Sequence, residues 1–172
     1  MEKKLPQIKI REWNEKPRIK LRFIKIGDIF CYQFSEEMFV FGQIIGKVNV
    51  GHVIQFFDIF QASPTITVEE LSRAQFIGKP IIVDSYTLFD RSPVWSWQII
   101  GHQADFDPSP FNDLAFKWGD PNGLHFGKVW LDGRTEPKIF SREEVEDLDW
   151  EACVGSIVYN RILEEELDKQ MK

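Results

Sequence analysis

The sequence predicts an α+β protein that is mainly β, with a curved antiparallel sheet of about six or more strands. We expect a meander at residues 28–60, one short middle helix and C-terminal helices. Two observations favour this class. Runs rich in aromatic and β-branched residues follow one another from residue 28 to residue 60 with only short polar breaks. Capping-box spacing, in which Glu follows Ser or Thr by three residues, occurs at Thr67–Glu70 and at Ser141–Glu144.

The meander is predicted from three strand-like runs at residues 29–34, 38–45 and 52–60. The polar stretch 35–37 separates the first two runs, and the turn signal at 49–51 separates the last two. Consecutive strands joined by such short connections pair antiparallel. The runs are apolar on both faces, so we expect both faces to be covered. The region 24–46 is therefore interpreted as scaffold, with Gly27 allowing a tight turn and Asp28 accepting backbone hydrogen bonds.

The remaining elements are predicted from local periodicity and breakers. Residues 18–23 alternate basic and apolar side chains, which indicates a strand with one wet face. A short helix should run from Thr67 to about Phe76, with Gly78 and Pro80 stopping it. Later elements are strands at 81–83, 86–89, 94–100 and 126–131, a long loop at 102–123 pinned by aromatic residues, a helix at 141–152 and a last helix after Gly155.

Length and composition favour one soluble domain spanning residues 1–172, because no linker, repeat or low-complexity segment interrupts the chain. We expect a cytoplasmic protein without a membrane span, since no apolar run reaches signal-peptide or transmembrane length. Cys31 and Cys153 lie far apart among apolar neighbours, a pattern typical of reduced, buried thiols. The sequence does not define an oligomeric state.

The charge balance argues against a nucleic-acid partner. The chain has 21 basic and 27 acidic residues and a net charge of −6, which repels polyanions. Nine bases and three acids occupy residues 1–25, whereas six bases and twelve acids occupy residues 132–172. Either the two oppositely charged ends lie near each other within the molecule, or one of them is meant for a partner.

No catalytic constellation, metal site or cofactor motif is predicted. His52, His102 and His125 are widely separated and have no metal-ligand spacing with the cysteines. There is no phosphate-binding glycine loop and no nucleophile elbow. The sequence therefore predicts neither an enzyme nor a bound cofactor. The alternative is a small-ligand-binding protein or enzyme that uses the Trp95/Trp97 strand and the His102–Asp107 loop.

Four motifs resemble those of a known family. They are Gly27-Asp28-x-Phe30, Phe41-Gly42-x-Ile44-Ile45, Phe57-Asp58-Ile59-Phe60 and Trp97-Gln98-Ile99-Ile100-Gly101. This pattern, over residues 24 to about 101, resembles the immunity protein 26 family of bacterial polymorphic toxin systems. The resemblance implies a mainly β protein, encoded beside a toxin, that protects its producer by binding and neutralising that toxin. It brings no catalytic residues to this chain.

Two groups of residues are candidates for contacting a cognate toxin domain. The first is acidic: Glu146, Asp147, Asp149 and Glu151 crowd one predicted helix, and more acids are present there than helix capping requires. Such a face could occupy a basic groove of the partner, although it could also be merely solvated or balanced by Arg18, Lys20 and Arg22. The second candidate is the aromatic loop carrying Phe111, Phe116 and Trp118, whose rings could supply binding hot spots if exposed.

Overall fold

A computed structural model describes residues 6–170 and 172 of the chain, and Lys3 and Lys4 of the basic N-terminal segment lie outside the described residues. Six strands form one antiparallel sheet in the order β1-β6-β2-β3-β4-β5, and β7 pairs with β8 in a second, two-stranded sheet. The strands are β1 (Ile8–Ile10), β2 (Asp28–Ser35), β3 (Met38–Val48), β4 (Gly51–Gln61), β5 (Phe76–Val83), β6 (Trp97–Gln103), β7 (Ala115–Gly119) and β8 (Phe126–Trp130). The helices are α1 (Val68–Arg73) and α2 (Ser156–Gln170).

The predicted meander is confirmed, because β2, β3 and β4 pair antiparallel in sequence order. Ser35 pairs with Met38 across the two-residue connection Glu36-Glu37, and Val48 pairs with Gly51 across Asn49-Val50. Register shifts interrupt both ladders, as at Val40/Gly42 and Ile44/Gly46 in the β3–β4 pair. Bulges of this kind bend a strand and increase its twist, which gives the sheet its curvature.

Both faces of the central strands are buried. Along β2, Phe30 and Tyr32 belong to one core cluster while Ile29 and Cys31 belong to another, as a period of two requires. Tyr159 and Leu163 of α2 cover the first face, and Leu71 of α1 packs in the cluster on the second. A third cluster joins the β7–β8 sheet to the ends of β3, β4 and β5. Most apolar residues of the region 24–46 belong to these clusters, as the scaffold interpretation predicts.

The turn before β2 also follows the prediction. Gly27 has φ +91, and its added Cβ would stand 2.8 Å from the Gln103 carbonyl oxygen. Asp28 Oδ2 accepts a hydrogen bond from the Lys25 backbone N–H at 2.8 Å. The capping box of α1 is likewise present, with the Thr67 and Glu70 side chains each accepting from the other residue's backbone N–H.

The strand predicted at residues 18–23 is wrong. Leu21–Phe23 forms a 3-10 turn, and the first strand is instead Ile8–Ile10 at the sheet edge. The side chain of Asp90 is responsible, because its Oδ1 accepts hydrogen bonds from the Arg18 guanidinium and its Oδ2 accepts from the Leu21 N–H. These bonds hold the backbone away from a sheet ladder and leave the Phe23 ring 49% exposed.

Three element boundaries from Thr67 to Ile100 also differ from the prediction. Helix α1 ends at Arg73, and β5 starts at Phe76 and runs through Gly78 and Pro80. Proline is tolerated there because β5 is an edge strand. Residues 86–89, predicted as a strand, lie in a single π-helical turn, Tyr86–Asp90, and β6 starts only at Trp97 because Trp95 has φ 49.

Further corrections concern the loop, the C-terminal helices and one cysteine. The predicted long loop at 102–123 contains strand β7. Only a 3-10 turn, Glu143–Val145, forms within the helix predicted at 141–152, so α2 is the one C-terminal α-helix among the described residues. Both cysteines are free; Cys31 is buried, but Cys153 is exposed and its thiol donates to the Val50 carbonyl at 3.1 Å.

Gly42 permits a close approach between neighbouring strands of the meander. A Cβ at this position would stand 2.5 Å from the Gln55 carbonyl oxygen and would strike the Phe30 ring. We expect Gly42→Ala to lower the free energy of unfolding by about 1–3 kcal/mol, because backbone and ring must both move. The control Glu37→Ala, at an exposed turn position, should stay within about 0.5 kcal/mol of the parent. Equal urea midpoints for all three proteins would contradict this account.

His52 couples stability to pH. Its ring is buried, and Nδ1 lies 2.9 Å from Ser85 Oγ. Burial, with a smaller contribution from Lys47, lowers the pKa of His52 from 6.5 to about 4. Between these two values the unfolded chain binds a proton that the folded chain does not, so His52 reduces stability as pH falls.

We therefore expect His52→Gln to flatten the pH dependence of unfolding between pH 6.5 and 4. The slope of unfolding free energy against pH should be smaller than that of the parent by about 1.4 kcal/mol per pH unit. Urea titrations at several pH values measure it. His125→Gln removes an exposed histidine and should keep the parent's slope; the same slope in His52→Gln would refute the assignment.

Candidate partner-binding surface

In the acidic segment 146–151, residues 146–148 form a turn and residues 149–151 then run beside β7. The Lys117 N–H donates to the Asp149 carbonyl at 2.8 Å, and the Glu151 N–H donates to the Lys117 carbonyl at 2.8 Å. The ammonium group of Lys117 also donates to the carbonyls of Val145 and Glu146. A helix here would place like charges three or four residues apart, as at Glu143/Asp147 and Asp147/Glu151, which destabilises it. Pairing with β7 satisfies the backbone instead.

The four acidic candidates separate into two pairs. Asp149 accepts from the Lys79 ammonium at 2.6 and 2.8 Å, and Glu151 Oε1 accepts from the Asn49 N–H at 3.3 Å. Glu146 and Asp147 are exposed, and within residues 6–170 their carboxylates make no ion pair or hydrogen bond. The unpaired acids of this segment are therefore Glu146 and Asp147.

No ion pair among the described residues supports the alternative that Arg18, Lys20 and Arg22 balance the acidic segment. Arg18 pairs with Asp90 at 2.7 Å, and no ion pair in the described part of the chain joins residues 8–25 to residues 143–168. Asp149 pairs instead with Lys79, Glu144 with Lys138, and Glu165 and Glu166 with Arg161 and Lys169 of their own helix. Within the described residues, therefore, no ion pair joins the two oppositely charged ends of the chain.

The three aromatic candidates differ in exposure. Phe116 is 2% exposed and lies in the core cluster that joins the two sheets, so the exposure on which its candidacy depended is absent. Phe111 is half-buried, with its ring 5.7 Å from Phe76 and 6.4 Å from Phe106. Trp118 is 52% exposed. Phe116 and Trp118 share one face of β7, but the core ends between them.

Trp118 lies over Gly127 of β8, where any side chain would collide with the indole ring. Beside it, a hollow of about 390 Å³ is lined by Trp118, Phe126, Pro137 and Ile139, among others. Ile139 is 65% exposed. The structure thus presents an apolar surface at the end of the β7–β8 pair.

The acidic and aromatic candidates are attached to the two edges of the β7–β8 pair. The acidic segment lies along β7, and Ile139 precedes Phe140, which pairs with Phe126 of β8. Trp150 is 38% exposed and forms an isolated parallel β-bridge with Lys117. Its ring centroid is 5.9 Å from that of Phe126. Trp118 follows Lys117 in β7, so its side chain lies on the opposite face of the strand. We call the set Trp118, Ile139, Trp150, Glu146 and Asp147 the hairpin surface. Sequence reasoning missed Ile139 and Trp150. The position of Trp150 between two acids, Asp149 and Glu151, was a signal that could have identified it.

The alternative site built on Trp95 and Trp97 does not assemble. Trp97 is 1% exposed and its ring is enclosed by those of Phe30, Tyr32 and Tyr159. Asp105 Oδ1 accepts from the Gln7 N–H, and Asp107 accepts from Ser109, so both acids shape backbone turns. Within residues 6–170 no group of His, Cys, Asp and Glu could hold a metal ion.

His102 has a partner that the sequence did not indicate. Its Nδ1 lies 2.8 Å from Asp28 Oδ1, across paired positions of β2 and β6. Asp28 is 5% exposed, and this burial raises its pKa above the ordinary value, opposed by the hydrogen bonds from Lys25 and His102. Only the strand register brings these residues together, so local sequence patterns cannot find the pair.

The described residues form a mainly β protein whose β7–β8 pair and attached segments carry exposed apolar and acidic side chains. The immunity protein 26 family model matches residues 25–126, more than half of the chain. The chain belongs to the immunity protein 26 family. Membership suggests a toxin-neutralising immunity function and implies a toxin protein as the general kind of partner. Proteins of this family are generally not enzymes. No curated protein and no solved structure matches the chain. No helix among the described residues is long and apolar enough to cross a membrane.

The different burial of two neighbouring aromatic residues gives a direct test of the hairpin surface. Phe116→Ala should lower the free energy of unfolding by about 3–5 kcal/mol, because it empties a core position. Trp118→Ala should cost markedly less, because half of the ring is in solvent. Urea unfolding of both variants measures the difference. If the two losses were equal, Trp118 would be a core residue and unsuited to binding.

Proposed function

We propose that this chain is a bacterial immunity protein that acts in the cytoplasm and neutralises a cognate toxin domain by binding and occluding it through the hairpin surface. The observation that carries the proposal is that exposed Trp118 and Ile139 and the unpaired acids Glu146 and Asp147 all belong to the β7–β8 pair or to the segments bonded to it. Family membership supports the immunity role. The reduced state of Cys31 and Cys153 is compatible with a cytoplasmic site of action.

The apolar part of the hairpin surface suits tight binding. Tryptophan is enriched among residues that dominate interface energies, because a large ring buries much area at small entropic cost. The Trp118 ring is supported from below by Gly127, and the β7 backbone is bonded on both sides, to β8 and to the segment 149–151. Such a preorganised surface loses little conformational freedom on binding.

The acidic part suits recognition of a basic partner surface. Glu146 and Asp147 carry charges that the described part of the chain does not neutralise, in a protein whose net charge is already −6. Fields of this kind accelerate association with an oppositely charged partner and weaken as salt screens them. The substrate groove of a nuclease toxin has the required positive charge, and covering it would block activity without any chemistry by this chain.

The decisive experiment uses the C-terminal domain of the toxin encoded beside this protein. Co-expression should restore growth, and the two purified proteins should form a stable complex. For Trp118→Ala, we expect faster dissociation of that complex, by about tenfold or more. If the parent protein gave no protection and formed no complex with the toxin domain, the proposed function would be wrong.

The electrostatic contribution is tested separately. Glu146→Gln/Asp147→Asn should slow association several-fold at low salt, with a smaller difference at high salt, as measured by stopped-flow mixing. The matched control is Glu164→Gln/Asp168→Asn, which removes the same charge from two exposed positions of α2. Equal slowing by both double variants would mean that net charge, and not the hairpin surface, governs association.

A further inference from the structure

Basic side chains gather at the sheet edge that carries β1. Two adjoining hollows of about 280 and 370 Å³ share Arg11, Asp28 and His102. Their lining includes Lys9, Arg11, Lys16, Phe23, Lys25 and His102. We call these six residues and the space between them the basic groove. None of the functions discussed above uses it.

The cations of the groove are not neutralised. Within residues 6–170, the side chains of Lys9, Lys16 and Lys25 make no ion pair. Arg11 donates through Nε to the Ile99 carbonyl at 2.8 Å, which fixes the guanidinium and leaves its terminal nitrogens without a hydrogen bond in the described part. The groove therefore carries positive charge in a protein whose net charge is −6.

Two acids also line the groove, and both have partners. Glu15 Oε2 accepts from the Glu12 N–H at 3.1 Å. Asp28 uses both carboxylate oxygens, Oδ1 for His102 Nδ1 and Oδ2 for the Lys25 N–H. The buried Asp28 therefore orients the imidazole, and Nε2 can donate to a ligand when it carries a proton. His102 Nε2 has no hydrogen-bond partner among the described residues, and the ring is 41% exposed.

We propose that the basic groove binds a small phosphomonoester, whose phosphate accepts hydrogen bonds from Arg11 and His102 Nε2 and is neutralised further by Lys16 and Lys25. The guanidinium fork suits paired phosphate oxygens, and the lysines add charge without fixed geometry. Phe23 lies at the same hollow with half of its ring in solvent, so a planar organic group on the ligand can stack there.

The inference is independent of the proposed immunity function. The groove is built on β1, β6 and the turn before β2, whereas the acidic segment is tied to β5 by the Lys79–Asp149 ion pair. β1 and β5 are the two opposite edges of the six-stranded sheet. Loss of ligand binding can therefore be separated from loss of toxin binding.

The test is titration of the full chain with phenyl phosphate, followed by calorimetry and by NMR of the His102 ring. Phenyl phosphate should bind more tightly than inorganic phosphate, and Phe23→Ala should abolish that advantage. Arg11→Gln/His102→Gln should weaken binding about tenfold or more, because two charge-assisted hydrogen bonds are lost.

A second pair of variants guards against misfolding. Lys16→Gln/Lys25→Gln changes only exposed positions and should weaken binding several-fold, while Arg73→Gln removes an exposed cation from α1 and should not. Vesicles with and without phosphatidic acid identify the source of the phosphate: binding that depends on Arg11 and His102 would assign the groove to a lipid headgroup. No binding of phenyl phosphate by the parent protein, or equal weakening by Arg73→Gln, would overturn the proposal.

Discussion

The close approach of backbone and ring at Gly42 is the constraint on which the rest of the structure depends. Phe30 of β2 packs over this position, and the Phe30 ring in turn contacts those of Phe56, Phe89 and Trp97 at centroid distances of 5.2 to 6.2 Å. A side chain at residue 42 would push this aromatic layer away from the sheet. Because α2 covers the same layer through Tyr159, the meander and the C-terminal helix share one core.

With both faces of its central strands covered, the protein can present functional chemistry only at the edges of the sheet and on the attached β7–β8 pair. The cations collect at the β1 edge, and the acidic segment lies beyond the β5 edge. Both edge strands are also shielded from pairing with other chains. β1 is three residues long, and the Ile82 carbonyl of β5 accepts from the Val154 N–H.

Local signals predicted the elements whose partners are adjacent in sequence. The strands of the meander and the capping box of α1 have their determinants within a few residues, so the sequence was sufficient for them. The alternating segment 18–23 failed because Asp90, about seventy residues away, binds its backbone. The prediction of a helix at 141–152 was wrong because part of that segment forms backbone hydrogen bonds with Lys117 of β7. Long-range hydrogen bonds overrode local periodicity in both cases.

The same distinction explains which site residues could be predicted. Acids and aromatic rings could be counted in the sequence, but whether each one is available depends on contacts that form only in the fold. Phe116 and Trp118 are two residues apart on one face of β7, yet only Trp118 is exposed. Asp147 and Asp149 are equally close, yet only Asp149 has a lysine partner. A binding surface is defined by what the core and the ion pairs leave unused, so it can be derived only after both are known.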